Sequence, residues 1–152
     1  MASLENSILA ALQGILQELT WQKSVEYEKI KLLSTDFREH ELPGIQFYDS
    51  GRSIAHVQGR IEVDWNITIE ILMKRTSTDV VDQGILLDRT EEVERKIGAN
   101  VTLGLDTNDS SIGNVVHVKY LNAITDLHTV EPFFISLMNF SVNYFKPYTG
   151  EC

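Results

Sequence analysis

Two acidic side chains, Glu62 and Asp64, stand two residues apart within RIEVDWNITIEILMK, residues 60–74. In an extended chain that spacing puts both on one strand face, about 7 Å apart. Carboxylates so placed could share acid and base work, as they do in glycoside hydrolysis. A general acid of that kind needs an apolar surround to raise its pKa, and nothing apolar flanks the pair on that face. The reading that follows is a solvated face or a subunit contact.

Other chemistry-bearing residues lack the spacing their chemistry requires. His40, His56, His117 and His128 have no second histidine at metal-ligand distance, and neither HExxH nor CxxC occurs. They read as surface or turn residues. DTNDSSIG, residues 106–113, opens like a calcium loop but lacks glycine at its sixth position, and His117 stands where the twelfth-position glutamate belongs. There is no nucleophile elbow, Walker A loop or dinucleotide fingerprint. The sequence thus predicts no catalytic residue, no cofactor and no metal.

The elements that would carry these residues follow from composition and pattern. The chain has 152 residues, 43% hydrophobic and 23% charged, which fits one soluble α+β domain over 1–152. Its net charge of −9 argues against a duplex-binding surface and against an anionic membrane. No apolar run approaches a membrane span, and the N-terminal MASLENSILA has no basic signal-like region. The single cysteine, Cys152, forms no internal disulfide. Manufacture in a cytosol is expected.

SLENSILAALQGILQEL predicts a helix, with Leu4, Ile8, Leu12, Ile15 and Leu19 on one stripe and Ser3 as cap. Gly14 within it invites a close neighbour as one explanation and chance as the other. Residues 24–33 alternate as a strand. A short strand follows at Ile45–Tyr48, and DSGRS reads as a turn with Gly51 at positive φ. After the strand at 61–73 comes a second helix, capped within Ser77–Asp79. Its face holds Leu86, Thr90, Val93 and Ile97, extended by Val80 or Val81 and Ile85, and Gly98 suits a left-handed C-terminus. Glu91 and Arg95 are spaced for an ion pair. A polar loop spans 100–114, and strands at 115–124 and 134–145 close the chain. The alternation implies a mostly antiparallel sheet with two long strands and two helices on one face.

Those two strands are outsized. Ile61 to Met73 would span about 40 Å, comparable with the diameter of a compact domain of this length. Either they cross the whole domain or they project from it. Their second face carries apolar residues too: Leu72, Ile135 and Leu137 interrupt its polar pattern. Such residues suggest contact with a partner, and subunits of this kind close into symmetric rings.

At this point the chain resembles the tail terminator, or tail completion, proteins of long-tailed bacteriophages, the family that includes the lambda minor tail protein U. The likeness rests on ILAALQGILQEL, LPGIQFY, RIEVDWNITIEILMKR leading into a helix, ERKIGANVTLGLD and EPFFISLMNFSVNYFKP. These are similarities of pattern, and the family has no strict motif from which binding residues carry over. The resemblance implies an α+β subunit whose six copies form a ring on the head-proximal end of the tail tube. The ring would end tube polymerisation and present the head-joining surface. Its partners would be copies of itself, the tail tube protein and a head-completion or neck protein, with genomic DNA passing through unbound. Neither catalysis nor cofactor is implied.

Two placements are expected on this basis. Leu72, Ile135 and Leu137 would lie at a subunit interface. The loops around Gly51 and 105–113, represented by Ser50, Gly51, Arg52, Asp106, Asn108 and Asp109, would meet the tube or neck. The alternatives are a head–tail connector or stopper of the same neck region and a small hydrolase or ligand-binding domain.

Overall fold

The computed structural model describes residues 3–27, 43–74, 78–105, 113–126 and 133–147. In chain order they form α1 (Leu4–Gln17), β1 (Ser24–Tyr27), β2 (Gly44–Val57), β3 (Arg60–Lys74), α2 (Asp79–Gly98), β4 (Asn114–Asp126) and β5 (Phe133–Pro147). The strands make one sheet in the order β1-β2-β3-β5-β4. The β1–β2 pairing is parallel and the other three are antiparallel. The fold is α+β, as the alternation implies.

Period-two patterning decides which face of β3 is buried. Val63, Trp65, Ile67, Ile69, Ile71 and Met73 all join one core. Their register partners on β5 are Tyr144, Val142, Phe140, Met138, Ser136 and Phe134. Every one of these is buried. Leu4, Ile8, Leu12 and Leu16 of α1 and Leu86, Val93 and Ile97 of α2 belong to the same core, so both helices cover this face. Within it, Thr90 Oγ1 lies 2.8 Å from the Leu86 carbonyl oxygen and 2.8 Å from Ser136 Oγ. A buried hydroxyl in each layer is thereby satisfied.

Local signals fix the helix starts. Asn6 N donates to the Ser3 side chain at 3.2 Å, and Val81 N to Thr78 Oγ1 at 3.4 Å. These are N-caps for otherwise unpaired first-turn amides. Arg95 and Glu91 form the expected i,i+4 pair at 2.5 Å.

The structure corrects three local expectations and decides one that was open, at Gly14. Val80 and Val81 do not extend the apolar face of α2: they are 83% and 49% exposed, and in this first turn it is Asp82, 0% exposed, that is turned inward. Gly98 is not a left-handed cap. The helix closes with Ala99 right-handed at φ −75, and positive φ appears later, at Leu103 and Gly104. Gly14 has no close neighbour, since a Cβ there would meet nothing within 4 Å.

The third correction is the largest. β2 is not a four-residue strand ending in a turn; it runs for 14 residues. DSGRS lies inside it as a bulge, where the register with β3 shifts between Asp49 and Arg52. Gly51 sits at φ +112, and its N–H donates to Asp49 Oδ1 at 2.7 Å. A bulge and a turn share that local chemistry. The chain reverses instead at Gln58 and Gly59, both at positive φ, as a two-residue hairpin turn requires.

Candidate functional site

The face of the sheet away from the helices carries a connected set of polar side chains. Thr68 Oγ1 donates to Asn139 Oδ1 at 2.8 Å and lies 2.6 Å from Ser50 Oγ. Asn139 Nδ2 donates to Asn122 Oδ1 at 2.7 Å. This row crosses β2, β3, β5 and β4. Below it, Glu70 accepts from the Tyr48 hydroxyl at 2.9 Å and from the Gln46 amide. Burial, then the Glu70 charge, pushes the Tyr48 pKa up to about 12. Above it, the Asn143 amide donates to Asp64 at 2.8 Å and to Glu62 at 3.3 Å. Ionised carboxylates are acceptors only, so one amide nitrogen with two protons serves both. The pair is held as part of this lattice.

Past the bulge, the second half of β2 and the hairpin turn form an arm at the edge of the sheet, while β3 beside them stays paired with β5 as far as Arg60 and Pro147. All six residues from Gly51 to His56 are exposed, as are Gln58, Gly59 and Arg60. Trp65, one turn of the pleat inward, is 2% exposed. Residues 50–61 contain two arginines and no acidic residue, in a chain of net charge −9. Arg52, Ile54 and His56 share the helix-side face of this arm, and Ile54 is 59% exposed. Beyond Phe47, the outer edge of β2 has no partner strand among the described residues, nor has the outer edge of β4.

The expected site residues fall into three groups. Ser50, Gly51 and Arg52 are not on a loop: they form the bulge at the root of the arm, with Arg52 5.4 Å over the Trp65 ring. Asp106, Asn108 and Asp109 lie outside the described residues. Leu72 and Ile135 are register partners on the second face, yet they are 0% and 6% exposed. The single chain already removes them from solvent, so they offer a neighbour no surface. Leu137 is half-buried and stands beside Ile124, which is 59% exposed.

The sequence reading passed over Ile54, Val116, Leu121 and Ile124. All are large, apolar and more than 40% exposed. Val116 and Leu121 sit at the two register shifts of β4, and a bulge breaks the parity by which an apolar residue is assigned to a face. For Ile54 a signal was available: RSIAH is a basic, acid-free stretch in an acidic chain.

Two open cavities border these surfaces. One of about 280 Å³ lies at the end of the sheet, lined by Arg60, Gly113, Asn114 and Phe145 among others. The other, about 380 Å³, lies between α2 and β4–β5, with Glu94 as its only carboxylate among the described residues. Among the described residues, no group of three or more His, Cys, Asp or Glu could hold a metal ion. Among them, too, no helix is long and apolar enough to cross a membrane. No protein-family model matches the chain, and no curated protein is significantly similar to it in sequence.

Proposed function

We propose that this chain is a structural subunit of a bacteriophage virion, forming a ring, six-membered by the resemblance, that caps the head-proximal end of the tail tube. The ring ends tube polymerisation and supplies the head-joining surface. Its partners are further copies of the chain, the tube protein and a neck protein, and it performs no catalysis.

The observation that carries this reading is the arm. β3 runs for 15 residues, about 46 Å at roughly 3.3 Å per step. The core covers its helix side from the partly buried Ile61 to Met73, whereas β2 beside it contributes no core residue beyond Phe47. The β2 half of the arm, exposed on both faces from Gly51 to His56 and with no strand on its outer edge among the described residues, gains little within one molecule. It becomes useful when another chain covers it. The polar lattice on the second face adds support, because it ties four strands together while leaving Asn66, His117 and Lys119 exposed.

Native mass spectrometry of the purified chain, alone and mixed with tube ends, tests the reading. A closed multiple of the 17.3 kDa subunit is expected in at least the second condition. A monomer in both conditions contradicts it.

A further inference from the structure

We infer that the β2–β3 arm of one copy docks in the groove between α2 and β4 of the next, Ile54 entering the groove and Arg52 facing Glu94. This deepens the ring reading and rests on it.

The groove has the shape and chemistry to receive the arm. Its floor is apolar, made by Ile97, Val118 and Phe140, with Tyr120 stacked on Phe140 at a centroid distance of 5.2 Å. Its volume of about 380 Å³ accommodates a branched aliphatic side chain with room for the flanking backbone. Ile54 is a large apolar residue of the arm, 59% exposed on the same face as Arg52.

Charge complements shape. The rim carries Glu94, which makes no ion pair among the described residues. Among the described residues the rim's one cation, Arg95, is paired with Glu91 at 2.5 Å. Farther along α2, Asp88 and Glu92 are also exposed, Glu92 accepting from the Trp21 indole. The arm offers Arg52 and Arg60 with no acid between residues 50 and 61. An acidic rim and a basic arm on the same molecule attract between copies.

Topology supplies the geometry of closure. The arm departs from the β2 side of the sheet, and the groove borders β4, the strand at the opposite edge. Donor and acceptor surfaces are therefore different patches on opposite sides of one subunit. Such a head-to-tail contact repeats from copy to copy and closes into a ring when the rotation permits.

Cysteine trapping tests this directly. In a Cys152→Ser background, Ile54→Cys and Gly98→Cys place one thiol on the arm and one on the groove wall. Both positions are exposed, and a Cβ at Gly98 meets nothing within 4 Å. Oxidation at ring-forming concentration, with tube ends present, is expected to give a ladder of covalent multimers only when both cysteines are present. Arg52→Glu and Glu94→Arg should each weaken assembly at least tenfold, and the double variant should recover most of it. Circular dichroism checks that each variant folds. A ring in native mass spectra without the 54–98 crosslink, or charge reversals that leave assembly unchanged, overturns the docking and leaves the ring reading standing. Neither ring nor crosslink in the unmodified and paired-cysteine chains overturns both.

Discussion

The Arg52 guanidinium carbon lies 5.4 Å from the centre of the Trp65 ring, and the two residues are register partners across β2 and β3. The pair marks the boundary between core and arm: Trp65 is 2% exposed and Arg52 is on the surface. Truncating the two should have opposite weights. Trp65→Ala empties a large volume against Tyr144, whose ring centroid is 6.3 Å away, and should lower stability by about 3–5 kcal/mol. Arg52→Ala removes an exposed cation–π contact and should change it by about 1 kcal/mol or less. Urea unfolding of both variants checks the contrast.

Two glycines predict opposite signs for one substitution. At Gly113, φ is +110, and an added Cβ would lie 2.1 Å from the Phe145 carbonyl oxygen. Gly113→Ala must shift the start of β4 away from β5 and should cost at least about 2 kcal/mol. Gly14 sits in the interior of α1 with open space around it. Gly14→Ala should raise stability by about 1 kcal/mol, the difference in helix propensity. Thermal melts of the two variants should move in opposite directions.

Leu72 and Leu137 separate burial from surface. Leu72→Asp puts a charge where the chain has no exposed surface and should destabilise by about 4 kcal/mol or more. Leu137→Asp lies half-buried beside exposed Ile124 and should fold but assemble poorly. Far-UV circular dichroism and native mass measured together distinguish the outcomes. A Leu137→Asp chain that assembles like wild type would remove this residue from the interface.

Alkaline pH should destabilise the fold in a defined window. Burial first, then the nearby carboxylates Glu70 and Glu5, pushes Tyr48 and Tyr144 each up to about 12. Unfolded tyrosines release their protons near 10. Above that pH the unfolded state binds fewer protons, so stability present in full below pH 10 declines between pH 10 and 12. Tyr144→Phe should shallow that decline. Near pH 7 it should lie within about 1.5 kcal/mol of wild type, the size of one lost hydrogen bond, since Arg52 and Glu5 are the polar neighbours of the Tyr144 hydroxyl. Urea midpoints from pH 8 to 12 provide the check.

Much of the fold was written in the period of the sequence. The odd residues of β3 from Val63 to Met73 and the even residues of β5 from Phe134 to Tyr144 are buried as their alternation implies, because a strand's faces alternate strictly. Ser3 and Thr78 cap their helices as local chemistry dictates. Features that depend on distant residues were not legible. Asp49, Ser50 and Gly51 spell a turn in isolation, and only pairing with Ile67 and Trp65 of β3 makes them a bulge. Leu72 and Ile135 look exposed on a polar face, and only the assembled chain shows them covered. The candidate site shifted for the same reason, from those two residues to an arm whose charge pattern is visible in the sequence but whose exposure is not.

Tail length tests the central claim most directly. In lysates of the encoding phage with this gene disabled, electron microscopy should show tubes of uncontrolled, extended length without heads, and supplying the chain in trans should restore one defined length. Tails of normal length in its absence would contradict a tube-capping role.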